Sequence, residues 1–355
     1  MYGSNSGHTR RGSAPPGGLL ARAGAAVGVL LLLAGCSSDD AGGKESPNTL
    51  SAADLPSQLP KAQSPFWVNP EGTAAKQMAR LRRDGDTQGA DLLAKIAGRP
   101  VAEWISVDDP EGQTRGFTEA AAKADRDALL VLYNIPHRDC GQYSQGGAAD
   151  GDGYRAWLDK AVRGIGDRSA TVILEPDALP HMEDGCTPAQ FHEERYALLK
   201  EAVDKLKALP RTKVYLDAGN PSWVMPADRM AEPLRRAGID RADGFALNVS
   251  NFQTTEDSKE YGRRLSALVG GKHFVIDTSR NGNGPLSDGG DHEKAWCNPA
   301  GRALGEPPTT RTGDGLVDAF LWVKRPGESD GSCRGGPEAG QWWQTYALEL
   351  ARNAH

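Results

Sequence analysis

A chain of 355 residues with 38% hydrophobic and 25% charged residues, 43 Gly and 23 Pro has a globular composition, long enough for one large domain or two small ones. Disorder throughout, a collagen-like repeat and a multi-span membrane protein are excluded. The net charge is -6 and no Lys/Arg block exceeds a pair, so the basic footprint that nucleic acid requires is missing and no such partner is expected. Five cysteines, an odd count, leave one thiol needing a separate explanation.

Tyr2 is the only aromatic residue before Phe66, whereas all eight Trp lie between Trp67 and Trp343, which places the start of the fold near residue 62. Arg10, Arg11 and Arg22 precede an apolar run at 25–33, the order of an export signal. That run is well short of the ~20 residues needed to span a bilayer. It ends in Leu33-Ala34-Gly35-Cys36, followed by Ser37-Ser38-Asp39-Asp40, which resembles a bacterial lipobox. The expectation is a signal peptide over 1–35, a lipid on Cys36, and a flexible tether over 36–61 that holds the protein at the outer face of the bacterial cell membrane. A lipid there also accounts for the odd cysteine.

Beyond residue 62, apolar β-rich runs at 101–107, 128–135, 171–174, 213–216, 244–249, 273–276 and 317–323 alternate with helical patterns. Such alternation implies βα units and a mostly parallel sheet of about seven strands, an α/β fold closed into a distorted single-domain parallel β/α barrel over 62–355. Thr187 as N-cap and Pro188 at the first helical position are expected to open the helix carrying Phe191, Tyr196, Leu199, Val203 and Leu206.

The chemistry-bearing residues follow the strand runs directly. Tyr133 lies in the second, which leads into His137-Arg138-Asp139; the third leads into Glu175-Pro176-Asp177; the next three end at Asp217, Asn248 and Asp277, and the last at Lys324. In parallel βα folds the carboxyl ends of the strands form the rim on which active sites are built. Any single acid there is explained equally well as a loop or helix cap; their recurrence on one rim points to a site. Acids, amides, a Lys and Trp suit carbohydrate, whose hydroxyls meet carboxylates and whose C–H faces meet aromatic rings. Hydrolysis of a glycosidic bond needs a protonated acid, and crowded buried carboxyls supply one near neutrality. The seven His show no HxH or HExxH spacing and no CxxC pair exists, so neither a metal nor another cofactor is expected.

Tyr133-Asn134-Ile135-Pro136-His137-Arg138-Asp139-Cys140 with Ser144-Gln145-Gly146-Gly147 resembles the first signature of glycoside hydrolase family 6, the inverting cellulases. Ile173-Leu174-Glu175-Pro176-Asp177-Ala178-Leu179 resembles the second. Matches continue in the family's order through Tyr215-Leu216-Asp217-Ala218-Gly219, Asn248-Val249-Ser250-Asn251, Asp277-Thr278-Ser279-Arg280-Asn281-Gly282, Trp296-Cys297-Asn298-Pro299 and Leu321-Trp322-Val323-Lys324-Arg325-Pro326-Gly327-Glu328-Ser329-Asp330-Gly331.

The resemblance implies Asp177 as general acid, Asp139 as the neighbouring carboxyl that keeps that acid protonated and relays a proton from water, and Asp330 as base. The base is debated in the family, because water relays are also invoked. Arg138 beside Asp139 leaves open a structural ion pair instead. Tyr133 is expected beneath the sugar at the cleavage point, Ser144 at the attacking water, and Asp217 and Asn248 in the surrounding network. Lys324 and Glu328 are expected on sugar hydroxyls, with Trp67, Trp223 and Trp296 as stacking platforms. Two departures stand out: Asn220 occupies a position where the family often has His, and Gln145 one where a second small polar residue is common. A catalytic portion of about 290 residues is short for the family, which implies an open groove and internal cleavage of β-1,4-glucan; an exo-acting cellobiohydrolase of the same family and a lipoprotein that only binds sugar are the alternatives, and a monomer is expected. Of three pairings open to the remaining four cysteines, the resemblance selects Cys140–Cys186 and Cys297–Cys333, each worth roughly 2–4 kcal/mol.

Overall fold

The computed structural model describes residues 63–141, 143–286 and 295–355; the expectations for a signal peptide over 1–35, for Cys36 and for a tether over 36–61 lie outside them. In chain order these residues form α1 (Thr73–Arg83), α2 (Thr87–Ala97), β1 (Glu103–Trp104), α3 (Pro110–Lys123), β2 (Ala128–Leu132), α4 (Gly151–Ile165), β3 (Ala170–Leu174) and α5 (Pro180–Glu183). Next come α6 (His192–Lys207), β4 (Thr212–Asp217), α7 (Ala231–Arg236), β5 (Gly244–Leu247), α8 (Thr255–Leu268), β6 (His273–Asp277), β7 (Val317–Leu321) and α9 (Gln344–Asn353). No helix among the described residues is long and apolar enough to cross a membrane.

All seven strands are parallel and ordered β1 to β7. The strand period of two sorts their side chains. Leu129, Val131, Ile173, Tyr215, Ala246, Val275, Ala319 and Leu321 fill the interior. Leu130, Leu132, Val172, Leu174, Val214, Leu216, Phe245, Leu247, Phe274 and Ile276 face the helices. Both faces are buried, which is why the strands read as unbroken apolar runs.

The ring is not fully laddered. At the seam between the first and last strands the Ala102 N–H donates to Trp322 O (3.0 Å), the Trp104 indole to Val323 O (2.9 Å) and Arg325 Nε to Ala102 O (2.9 Å). Outside the seam, α1, α2 and α9 pack over Trp322 and Leu304. The distorted barrel of about seven strands is thus the observed fold, with β1 shorter than the run at 101–107 suggested.

Side-chain caps open four of the helices, α2, α3, α4 and α8. Asp109 accepts from the Gly112 N–H (2.9 Å) ahead of Pro110, and Asp150 from the Gly153 N–H (2.7 Å). The expected cap at Thr187 does not form. Pro188 has ψ 139°, outside the helical range, so α6 opens at His192 after a short 3₁₀ turn, and the Thr187 hydroxyl accepts instead from Arg195 Nη1 (2.7 Å). Arg195 is buried and also donates to the carbonyls of Ala178, Pro136 and His137, bracing the loops after β2 and β3.

On the helix side, Phe274 stacks on Phe245 with ring centroids 5.3 Å apart, and a Cβ added at Gly262 would lie 2.4 Å from its ring. Such a close fit cannot collapse after truncation. Phe274→Ala is expected to lower the unfolding free energy by about 3–5 kcal/mol, read from a urea titration; an unchanged midpoint would contradict this packing.

Candidate active site

Of the strand-end acids singled out in the sequence, Glu175, Asp217 and Asp277 are buried and grip main chain, while Asp139 and Asp177 are partly exposed. Glu175 follows β3 and accepts from the N–H groups of Asn134 (2.9 Å) and Ile135 (2.9 Å), tying the β2 loop to the β3 loop. Asp217 ends β4 and accepts from the Asp177 N–H (2.8 Å). Asp277 ends β6 and accepts from the N–H groups of Ser250, Ser279, Val323 and Lys324 at 2.9 to 3.2 Å. The loops so held carry non-glycine residues at positive φ: Asp139 (54°), Glu175 (48°), Asp177 (68°), Asn248 (63°) and Ser250 (57°). Backbone of this kind persists where surrounding bonds over-determine it, and it clusters at functional sites.

Asp177 takes the Tyr133 hydroxyl proton in a hydrogen bond of 3.3 Å. Burial pushes its carboxyl up to about 6, against the opposing influence of His181 and with a further upward push from Asp139. Asp217 is raised to about 8 by burial and then by the charge of Asp177, and Glu175 to about 7 by burial. Asp139 accepts from the Ser144 N–H (2.5 Å) and lies 3.9 Å from His181 Nε2. Arg138 does not pair with it. The Arg138 guanidinium donates to the Ser144 and Tyr133 carbonyls and lies over the Tyr133 ring, 4.7 Å from its centroid.

The third acid sits in a different field. Asp330 lies 2.7 Å from Arg280 Nη1 and 3.3 Å from Lys324 Nζ, and accepts from the Asn298 N–H (3.0 Å). Burial alone would raise its carboxyl, but the two cations win and hold it below the usual carboxylate range. Lys324 also donates to Ser329 O (3.0 Å), and Glu328 pairs with Arg325 (3.0 Å).

Tyr133, Asp139, Ser144, Asp177, Trp223, Trp296, Lys324, Glu328 and Asp330 line one cleft of about 680 Å³ at the carboxyl end of the barrel. Asp217 lies beneath it, against Asp177. Two expected members are elsewhere. Trp67 packs edge-on to Phe117, 5.0 Å between centroids, against the helix-side core. Asn248 is fully buried and its amide donates to Asp277 O (2.9 Å) and Gln253 O (3.1 Å), so it shapes the loop and offers nothing to the cleft.

The structure adds members that the sequence did not single out. Trp104 lines the cleft, edge-on to Tyr133 at 5.6 Å. Its only sequence signal is being the Trp within the first strand run. Arg280 is buried with its side chain wholly covered, and its role as partner of Asp330 has no local signature. His181 also lines the cleft. Asn220 is there too, its side-chain oxygen accepting from the Ser222 N–H (3.0 Å) and hydroxyl (2.8 Å). Both expected disulfides are present, Cys140–Cys186 and Cys297–Cys333, so four cysteines form two bridges beside the acids.

Among the described residues, two groups bring three candidate metal donors together, Cys140, His181 and Cys186, and Asp139, Asp177 and His181. The first holds a disulfide and has no thiolate to offer. In the second the acids raise the imidazole to about 9, so a cation there would have to displace its proton. The group is built to distribute protons.

A parallel α/β barrel whose carboxyl rim gathers a raised acid, a neighbouring carboxyl and an ion-paired third carboxylate in an aromatic cleft has the groups that acid-assisted cleavage of a glycosidic bond requires. The model of the glycosyl hydrolases family 6 matches residues 61–354, and the chain belongs to that family. It is 45% identical to endoglucanase A of Cellulomonas fimi over 83% of its length, 42% identical to endoglucanase A of Thermobispora bispora over 82%, and 43% identical to endoglucanase 1 of Streptomyces halstedii over 80%. It spans 62% of each of the first two and 88% of the third. Among solved structures, the endoglucanase Cel6 from Mycobacterium tuberculosis, bound to methyl-cellobiosyl-4-deoxy-4-thio-β-D-cellobioside, superposes with TM-score 0.75 at 44% identity, covering 85% of this chain and 99% of that one.

The raised acids have a stability signature. Unfolded carboxyls titrate near 4, so Asp177, Glu175 and Asp217 bind protons in the folded state that the unfolded chain releases. His181, raised to about 9, acts in the same sense. Their contribution is complete below the unfolded values and is lost as pH rises through the folded ones. The thermal midpoint is therefore expected to fall between about pH 5 and pH 9. Asp217→Asn keeps an acceptor for the Asp177 N–H and should flatten that fall; parallel curves for the two proteins would contradict the assignment.

Proposed function

We propose that this protein is an endo-β-1,4-glucanase that hydrolyses cellulose-like β-glucan with inversion at the anomeric carbon. The observation that carries the proposal is the Asp177 carboxyl, raised to about 6 by burial in the wall of the cleft with Tyr133 and Asp139 around it. Asp177 donates its proton to the glycosidic oxygen as the bond to the anomeric carbon breaks, and a water attacks that carbon from the opposite face. Donor oxygens of Asp139 and Asp177 lie within 4.8 Å of each other. That is nearer than the ~6.5–9.5 Å that lets an acid and a base flank a bond with a water between them. Asp139 thus acts as the charge that keeps Asp177 protonated. The water's proton goes to Asp330 or, through further water, to Asp139. Arg280 and Lys324 keep Asp330 ionised yet weaken it as a base, which favours the relay. Tyr133, Trp223 and Trp296 give the sugar its faces, and Lys324 and Glu328 meet its hydroxyls. The endoglucanase names of the bacterial relatives and the thio-cello-oligosaccharide bound in the Mycobacterium tuberculosis neighbour support the substrate class.

Asp177→Ala is expected to cut release of reducing ends from carboxymethylcellulose by about 10²–10⁴-fold with folding intact. On cellohexaose the wild type should give products of mixed length, with the α-anomer appearing first in NMR spectra; initial β-anomer would rule out inversion.

The export and anchoring of the enzyme belong to the same proposal, supported by Leu33-Ala34-Gly35-Cys36 after its apolar run. The full chain produced in a lipoprotein-processing bacterium should incorporate labelled palmitate and sediment with membranes, and Cys36→Ala should do neither. Equal labelling of the two would defeat the anchor.

A further inference from the structure

Within the acid cluster of this cleft, one group is positively charged and has no assigned task. His181 lies in the short helix α5, is 6% exposed and lines the cleft. Its Nδ1 lies 3.2 Å from Asp184 Oδ2 and its Nε2 3.9 Å from Asp139 Oδ1. Its own N–H donates to Asp177 O (3.0 Å), and its carbonyl accepts from the Thr187 N–H (2.8 Å), which fixes the backbone that carries the ring. Asp184 is itself held, accepting from the Trp223 indole (2.8 Å) and the Cys186 N–H (2.8 Å), and the imidazole meets Trp223 edge-on at 4.8 Å. An imidazole serving packing alone would be satisfied by Asp184. This ring presents its second nitrogen to the cleft wall.

We propose that His181 is a positioning residue for the acid pair: a buried imidazolium, anchored by Asp184 and facing Asp139, whose charge sets how readily Asp177 gives up its proton. The groups facing it are Asp139 from the loop after β2, Asp177 from the loop after β3, Asp184 after α5 and Asp217 at the end of β4. Arg138, the other nearby cation, is committed to carbonyls and to the Tyr133 ring. Asn220, which also lines the cleft, brings an amide and no charge. Burial works against the imidazolium, yet Asp139 and Asp184 raise it to about 9, so it keeps its charge wherever Asp177 titrates. The same clamp holds Trp223 through Asp184, so the sugar platform and the acid pair share one anchor.

This role rests on the hydrolase proposal, and the test separates the two. His181→Gln keeps a hydrogen-bond donor and removes the charge. On carboxymethylcellulose it should lower kcat about tenfold with KM little changed and move the basic limb of the pH profile up by about one unit, the low end of the effect of a cation at this range. Asp184→Asn, which leaves His181 in place but removes one of the acids that raise it, should lower the imidazole's own titration point. A wild-type kcat and pH limb in folded His181→Gln would overturn the proposal. Independently of activity, the His181 imidazole followed by NMR should titrate well above the ordinary 6.5 and fall in Asp139→Asn; titration unmoved by that change would overturn it as well. A wild type that releases no sugar would defeat the hydrolase proposal alone, because the imidazole titration still decides whether the clamp exists.

Discussion

Burying a carboxyl group costs free energy unless its oxygens are met by hydrogen-bond donors, and the rim of this barrel is organised by that requirement. Glu175, Asp217 and Asp277 find their donors in the main chain of adjacent loops. Each acid therefore acts as a rivet between neighbouring connections, and the loops are pinned in left-handed conformations that free chains avoid. Asp177 inherits its position from this framework, because its own N–H is one of the rivet points.

The same requirement produces two electrostatic environments a short distance apart. Around Asp177, burial and crowding favour the proton. Around Asp330, two cations expel it. One cleft can thus hold a protonated and an ionised carboxyl at a single pH, the condition for acid-assisted cleavage. The bridges Cys140–Cys186 and Cys297–Cys333 fall on the segments that carry these two environments, bracing the peptide next to Asp139 and the turn after Asp330.

The barrel was legible because its strands are buried on both faces, so 128–132, 170–174 and 244–247 stand out as apolar runs whatever their neighbours do. Acids at the strand ends were legible for the same reason: a charge directly after such a run has nowhere to go but the rim. Direction was harder to read. Trp67 has the composition of a sugar platform and packs on Phe117, and Asn248 has that of a ligand and closes its own loop. For Thr187 the local rule was overruled by Arg195, a partner eight residues on whose guanidinium serves the loops after β2 and β3. Arg280 and His181 carry no pattern of their own; their meaning comes from acids 50 residues away in one case and about 40 in the other.

The unsealed seam between the first and last strands has a geometric meaning of its own. Here Trp104 on β1 and Arg325 and Glu328 after β7 form cleft wall at the place where the ladder is interrupted. The interruption thus brings side chains from both ends of the sheet into one wall of the cleft.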